Sequence, residues 1–592
     1  MSNFIERLNK AIDIEYDSKN AEIDDQLKLP IEQRVLKGDT IVDVTAYFED
    51  TFGDSEDIHF TTVKVSCSDN LSKFREGSPV ILSGHGHSFE LDVLEDNSEE
   101  MVLIVGWGGK SVPRELNGKN GWQIDNAKVD IRNVVKKSTS ILSLKSSKYN
   151  YISDIFHGKS LPKFSNERIQ KAKKLVFNTN LNDSQKVAFE NAFSTENYYL
   201  IQGPPGSGKT WLLAHLAVEL AKEGKKVLVT ANTHTAINNA LQKASVLSKY
   251  PHIIKVGKKN QTDCLNALGS TAKNITDLSK SEYSNSSKGI IVGATCYSPH
   301  TKKMEFMDWD VVIIDEAGQL SIPLAIAGMV KGEKYILIGD HKQLPPIISE
   351  NNNDTEFSRS IFEHLFQFTS GTMLDVTYRM NKEINSFPSK QFYNGKLYPH
   401  AENENWRLSI PNNFAKHKPI LDKDFPEVLY CHFHQSNHSR SEYEAKIIKE
   451  FVEEYINQGV LPEDIAVITP FRAQVRQINK QLSTLPNYSA FKEKLLVDVI
   501  ERIQGQERDI VIYSLATSDP SKALQRADFF FNPNRFNVAI TRSKKKRIVI
   551  ANKDLFGIET SDAKLKGMIK NFKDFYEVAH KVYEQSDTKN LF

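Results

Sequence analysis

A chain of 592 residues, 40% of them hydrophobic, is long enough for about three or four domains with sizeable cores. Its 76 Lys and Arg against 75 Asp and Glu leave a formal charge of +1, which excludes an overall basic field; a nucleic-acid partner has to be held in a local groove. The cysteines (Cys67, Cys264, Cys296, Cys431) form no CxxC pair, against a zinc ribbon or iron–sulfur cluster, and no apolar run reaches membrane length, so the expectation is a soluble, cytoplasmic protein.

In chain order, Phe4, Ile5, Leu8, Ala11 and Ile12 share one helical face, predicting an N-terminal stalk helix over 1–35. The period then becomes strand-like at Ile41–Val44, Thr61–Ser66, Pro79–Leu82, Phe89–Val93 and Met101–Val105, with Gly77, Gly84 and Gly86 between. That spacing predicts a small antiparallel β-barrel over 36–127. Stalk helices and a polar linker are expected over 128–180. From 181 strands alternate with helices, the pattern of a parallel sheet wrapped by helices. One such α/β unit is expected over 181–370, with a helical insertion about 258–288, and a second over 371–592.

The stretch Tyr198–Thr210, YYLIQGPPGSGKT, is a P-loop in strand–loop–helix context. Gly203, Pro204, Pro205, Gly206, Ser207 and Gly208 let backbone N–H groups turn around phosphate oxygens at a helix N-terminus. Lys209 reaches the β/γ-phosphates and Thr210 offers a hydroxyl to Mg²⁺, so ATP or GTP is expected. Asp315 and Glu316 follow another apolar strand, Val311–Ile314. There Asp315 suits Mg²⁺ and Glu316 suits activation of the attacking water. Gln343 in Gly339–Pro346 is an uncharged group able to sense a γ-phosphate. Transition-state charge calls for arginine, and Arg379 and Arg542 are candidates, although spacing alone does not lift them above other arginines.

Taken jointly, these motifs resemble the superfamily 1B helicases of the group containing the nonsense-mediated-decay helicase, the immunoglobulin-mu-binding helicase and the Okazaki-fragment nuclease-helicase. The matching stretches are Asn182–Gln185, Gln202–Thr210, Ala231–Asn239, Gly293–Thr295, DEAGQ at 315–319, GDHKQLPP at 339–346, Tyr378–Met380 with Phe387–Ser389 and Phe392–Tyr393, Ile468–Gln474, Gln504–Asp509 and NRFNVAITRSK at 534–544. The match covers about 180–552. It implies two tandem RecA-like P-loop domains preceded by a barrel on a helical stalk. By the resemblance, Gln185 reads the adenine edge, Tyr378 stacks on the base and Glu507 holds the ribose. Gln343 meets the γ-phosphate, Arg379 and Arg542 are arginine fingers, and Thr233, His234, Thr295 and Ser389 lie along the nucleic-acid strand.

Three motifs depart from the group's pattern. Gly318 stands where Ser or Thr is usual, with little effect expected. Val499 and Glu501 replace Ser/Thr and Asp, removing a hydroxyl expected near the strand. Asn534 replaces the first of a frequent Arg pair, of which Arg535 remains. The resemblance implies an ATP- and Mg²⁺-dependent helicase or translocase on single-stranded DNA or RNA, moving 5′ to 3′. The chain is expected to act as a monomeric motor, with a protein partner reached through the barrel and no membrane association. The alternatives are a nucleic-acid-stimulated ATPase that remodels complexes without processive unwinding, and a nucleotide switch that recruits a partner.

Overall fold

A computed structural model describes residues 2–584 apart from 51–55, 68–71, 75–76, 97–99, 107–108, 129, 259–261, 263, 266, 268, 285–288, 350–353 and 436. The chain divides into two compact units, one holding Glu6–Lys136 and the other holding Lys137–Ile348 with Asp354–Phe592.

In the first unit a long helix, Ser2–Lys28, and a short one, Ile31–Lys37, lead into strands β1 (Thr40–Asp50), β2 (Asp57–Ser66), β3 (Pro79–Gly84), β4 (His87–Asp96), β5 (Glu100–Val105), β6 (Lys110–Pro113) and β7 (Trp122–Asn126). The order β1-β7-β3-β4-β5-β2 closes because β1 also pairs with β2, and β6 is added outside on β2. Closure leaves six strands without a free edge. In β2 buried and exposed residues alternate almost throughout, the period-2 signature of one face turned inward. The interior is aromatic: Phe60 meets Phe89 edge-on at 5.2 Å, and Phe48 meets Trp122 edge-on at 5.4 Å. β6 and β7 complete what the sequence pattern marked only as five strands.

The second unit carries two parallel sheets. The first contains β8 (Tyr198–Gln202), β9 (Lys226–Thr230), β10 (Ile253–Val256), β11 (Lys273–Ile275), β12 (Ile290–Gly293), β13 (Trp309–Ile314), β14 (Gly332–Gly339) and β15 (Thr372–Met373) in the order β11-β10-β12-β9-β13-β14-β8-β15. Every residue of β8, β10 and β12 is buried, as in a sheet covered on both faces. A small parallel pair, β16 (Val376–Thr377) with β17 (Tyr398–Pro399), follows. The other large sheet contains β18 (Glu427–His432), β19 (Ile465–Thr469), β20 (Leu496–Val499), β21 (Arg508–Ser514), β22 (Ser543–Asn552) and β23 (Lys581–Tyr583), ordered β20-β19-β21-β22-β18-β23.

Two expectations are corrected. The stretch about 258–288 is not helical among its described residues: it holds turns and β11, which pairs parallel to β10. Its short polar side chains bond locally instead, Ser279 Oγ donating to Asp277 at 2.6 Å and Ser281 Oγ to the Leu278 carbonyl at 2.7 Å, which competes with a helix. The chain also does not leave the first sheet at 371, because Thr372 and Met373 pair with Ile201 and Gln202 as its edge strand.

Candidate nucleotide site

The site grows from the end of β8. Gly203 N donates to Gly339 O at 2.9 Å, tying the loop's first residue to the end of β14. Gly206 and Gly208 have φ of +73° and +78°, a region that side chains disfavour. Gly206 is doubly constrained, since a Cβ there would lie 2.5 Å from Arg379 Cβ and 2.6 Å from Thr377 Oγ1. The loop is clasped from outside: Thr377 Oγ1 donates to Pro205 O at 2.9 Å and Tyr378 N to Gly206 O at 2.8 Å. Helix Lys209–Lys222 starts at once, so its unpaired first N–H groups face the loop. Lys209 Nζ donates to Gly203 O at 2.7 Å, and half-buried Thr210 follows in the first turn.

Buried Asp315 extends β13, and its Oδ1 accepts the Glu316 N–H at 2.9 Å. Burial, with the Glu316 charge, pushes its carboxyl up to about 7 against the opposing pull of Lys209. Glu316 sits at φ +50°, an uncommon conformation for a non-glycine residue and one that accumulates at functional sites. Its Oε2 accepts from Gln319 Nε2 at 3.1 Å. Gly318 is far from indifferent. A Cβ there would stand 2.6 Å from Asp340 O and 3.0 Å from Asp340 C, so backbone presses on backbone and a Ser or Thr could enter only if the chain moved.

Behind the loop, Asn182 and Gln185 form a reciprocal capping box at the start of helix Asp183–Ser194. Gln185 is buried, its Oε1 accepting from Asn182 N at 3.1 Å and its Nε2 donating to Ser207 O at 3.0 Å. This amide shapes the P-loop directly. Asn182 Nδ2 donates to Tyr378 OH at 2.9 Å, and His400 lies 4.8 Å from the Tyr378 ring, so that ring is held at its tip and on one face. Gln343 is buried beside Asp340, its Nε2 donating to Asp340 Oδ2 at 2.9 Å.

The cations come from the far part of the chain. Arg379 is buried, its Nε donating to Glu507 Oε2 at 2.6 Å and its Nη1 to Thr541 O at 2.9 Å. Burial opposes ionisation of Glu507, but Arg379 outweighs it and holds the carboxyl below its ordinary range. Arg542 is 1% exposed, so it is not a solvated surface cation. Its Nε donates to Val538 O at 2.9 Å, while its buried Nη2 has no partner. Burial and then Arg379 lower its pKa to about 9, so it stays charged at neutral pH, with Glu316 and Glu507 among the charges acting on it. The unpartnered Arg542 nitrogen with Glu316 among its neighbouring charges, the left-handed P-loop glycines with Arg379 against Gly206, and the Asp315–Glu316 carboxylates together fit a nucleotide phosphate with its Mg²⁺.

The four positions assigned to a nucleic-acid strand are not gathered in the same way. Thr233 is exposed and caps helix His234–Ser248, its Oγ1 accepting from Ala236 N at 3.3 Å. His234 is half-buried. Thr295 and Ser389 are buried with their hydroxyls engaged: Thr295 Oγ1 lies 2.7 Å from Ser298 Oγ, and Ser389 Oγ donates to Leu397 O at 2.7 Å. Those two hydroxyls are thus engaged inside the protein, unlike that of Thr233. Val499 also faces the interior, so the missing hydroxyl there is not lost from an open surface. Glu501 pairs with Arg535, whose guanidinium lies 3.7 Å from the centre of the Phe529 ring. Sequence reasoning gave no role to Thr377, Asp340 or Asn537; each has a partner 53 to 195 residues away, where no local pattern reports it.

A parallel sheet ending in this loop, with one arginine just after β16 of the small β16–β17 pair and another just before β22 of the second parallel sheet, defines a two-lobed P-loop protein of helicase type. Family models described as AAA domain match residues 180–352 and 357–554. The chain is 29% identical over 393 residues to the DNA replication ATP-dependent helicase/nuclease DNA2 of Gallus gallus, covering 62% of this chain and 36% of that protein. It is 28% identical over 440 residues to the DNA polymerase alpha-associated DNA helicase A of Schizosaccharomyces pombe, covering 64% of each. An uncharacterized ATP-dependent helicase of Methanocaldococcus jannaschii is 27% identical over 480 residues, 64% of this chain and 69% of that one. The chain spans 28% to 37% of the first helicase/nuclease relatives it matches. Among solved structures, an arterivirus nonstructural protein 10 (helicase) aligns over 92% of this chain and 83% of that one at 14% identity, with a TM-score of 0.37. These similarities to ATP-dependent helicases agree with the resemblance that the motifs carry to the DNA2/NAM7-like group of superfamily 1 helicases. No helix among the described residues is long and apolar enough to cross a membrane.

Proposed function

We propose that this protein is a nucleic-acid-dependent ATPase that moves along single-stranded DNA or RNA, in the 5′ to 3′ sense of the group it resembles. The observation that carries the reading is the buried, unpartnered Arg542 Nη2, more than three hundred residues from the P-loop in sequence yet with Arg379 and Glu316 among the charges acting on it. Lys209 and the loop N–H groups bind the phosphates, and Tyr378 offers its remaining face to the base. Thr210 and Asp315 would hold Mg²⁺, which would supply charge neutralisation at the phosphates. Glu316 takes the proton of the attacking water as oxygen bonds to the γ-phosphorus and the bond to the ADP oxygen breaks. Arg379 and Arg542 stabilise the charge that develops there. Because both arginines belong to the chain beyond the first sheet, hydrolysis and the relative position of the two lobes are linked. Thr233 and His234 support the strand path, and backbone contacts make its affinity fall steeply with salt.

The test is ATP turnover with and without single-stranded DNA and RNA, in the wild type, Lys209→Ala and Glu316→Gln. Strand-stimulated turnover that disappears in both variants, with Mg·ATP still bound by Glu316→Gln, is the expected result. Near-normal turnover in Lys209→Ala overturns the reading, and the larger of the two stimulations identifies the strand.

A further inference from the structure

Asp340, at the end of β14, is almost fully buried and accepts four hydrogen bonds. Gln202 Nε2, from the residue just before the P-loop, donates to Oδ1 at 3.2 Å, and Lys342 N donates to the same oxygen at 3.1 Å. Gln343 Nε2 donates to Oδ2 at 2.9 Å. The fourth donor is Tyr393 OH, 2.7 Å from Oδ2, from just past helix Lys382–Phe392. Tyr393 is 2% exposed, and burial raises its pKa well above the ordinary tyrosine value, so the phenol keeps its proton. Its oxygen accepts in turn from Asn537 Nδ2 at 2.8 Å.

Asn537 lies on helix Pro533–Ile540, which ends two residues before Arg542. The same amide also donates to Lys342 O at 2.8 Å. One turn earlier, Asn534 Nδ2 donates to His341 O at 3.0 Å and to Gln343 O at 2.6 Å. Residues three apart share a helix face, so Asn534 and Asn537 grip the 341–343 backbone together. The hydrogen-bonded chain from Gln202 through Asp340 and Tyr393 to Asn537 thus joins the entrance of the P-loop to the helix that precedes Arg542. A hydrogen-bonded carboxylate in a dry interior holds its donors in fixed directions, and losing one leaves a lone pair unmatched.

We infer that Tyr393 is a positioning residue for ATP hydrolysis: through Asp340 and Asn537 its hydroxyl fixes Gln343 relative to Arg542, and Asn534 locks the same loop to the same helix. The inference rests on the nucleotide reading above. It also gives Asn534 a purpose of its own, since a short amide reaches two carbonyls of the loop that carries Gln343.

The experiment is Tyr393→Phe, which keeps the ring in its core and removes only the hydroxyl. Strand-stimulated kcat should fall roughly ten- to a hundredfold, the scale of a small displacement at a reacting centre, with KM for ATP changed less than about twofold. Affinity for ADP with aluminium fluoride, a transition-state mimic, should fall by a similar factor while ADP affinity holds. Asn537→Ala should act through the same relay, so the double variant should be no slower than the slower single one. Asn534→Ala, away from the phenol, should show a smaller loss of the same kind and serves if Tyr393→Phe folds poorly. A kcat within about twofold of wild type, or a lowered melting temperature with intact kcat and intact ADP–aluminium fluoride affinity, overturns the inference. Lys209→Ala run alongside separates the cases: turnover lost there but kept in Tyr393→Phe removes the relay alone, whereas turnover kept in Lys209→Ala removes the nucleotide reading itself.

Discussion

The phosphate side of the second unit and its strand side are built differently. On the phosphate side, Lys209, Asp315, Glu316, Gln343, Arg379, Glu507 and Arg542 come from distant parts of the sequence, and their polar atoms converge through direct bonds and neighbouring charges. On the strand side, only Thr233 stands exposed, and the hydroxyls of Thr295 and Ser389 are consumed inside the protein. The difference teaches that a phosphate cradle needs particular backbone geometry, which restricts residue type, whereas strand contact needs only a polar group left free. Free groups cannot be read from residue identity.

The largest test of this comparison is Arg542→Ala. If the orphaned Nη2 meets phosphate, kcat should fall about 10³–10⁵-fold while ATP affinity shifts far less. Arg542→Lys should recover little, because an ammonium lacks the planar fork. Steady-state turnover with nucleotide titration checks both, and a kcat within tenfold of wild type would falsify the finger assignment.

Next in size is Gly318→Ser. Overpacking against the Asp340 backbone should destabilise by about 1–3 kcal/mol and reduce turnover, because the carbonyl in its way belongs to the residue that anchors Gln343. Thermal melts and kcat measured together decide it. An unchanged melting temperature would show that the two motifs are less tightly pressed than their backbones indicate.

Here the limits of the sequence are visible in physical terms. Gly206 and Gly208 were legible because a left-handed turn demands glycine, and β8, β9, β12, β13 and β14 because buried parallel strands read as apolar runs. Strands of two or three residues, such as β11, β15, β16, β17 and β23, are too short for an apolar run to mark them. Gly318 read as a mild departure because its neighbour, Asp340, lies on another strand. Tyr393 fell in a matching stretch but drew no role from it, since a buried phenol and a core aromatic are identical until Asp340 and Asn537 are seen on either side.

A smaller pair of variants sharpens the strand side. Ser389→Ala should cost about 1 kcal/mol through the lost internal bond and leave strand affinity unchanged. Thr233→Ala should cost about the same through the lost cap, yet weaken strand binding a few-fold. Fluorescence anisotropy on a labelled single strand distinguishes them, and equal affinity losses would erase the distinction between buried and exposed hydroxyls.

The smallest effect concerns pH. Burial, followed by the charges of Lys255 and Lys258, pushes the His234 imidazole down to about 4, well below its usual value near 6.5. Its folded value lies below its unfolded one, so the unfolded chain binds the proton first as pH falls. The stability it contributes is therefore present above about 6.5 and is lost progressively as pH drops towards 4. Between pH 8 and 6 the ring stays neutral, and any contact with a strand is a hydrogen bond rather than an ion pair. Strand affinity should then change less than about twofold over that range in the wild type, and His234→Gln should leave this flat profile flat. Melting temperatures taken from pH 7 to 5 should fall less steeply in His234→Gln than in the wild type, although His215, His300, His341 and His364 are lowered by burial too and keep much of the slope. A tightening of strand binding approaching tenfold per pH unit, abolished in His234→Gln, would mean that the imidazole is charged against phosphate, and the strand side would then be as electrostatically built as the phosphate side.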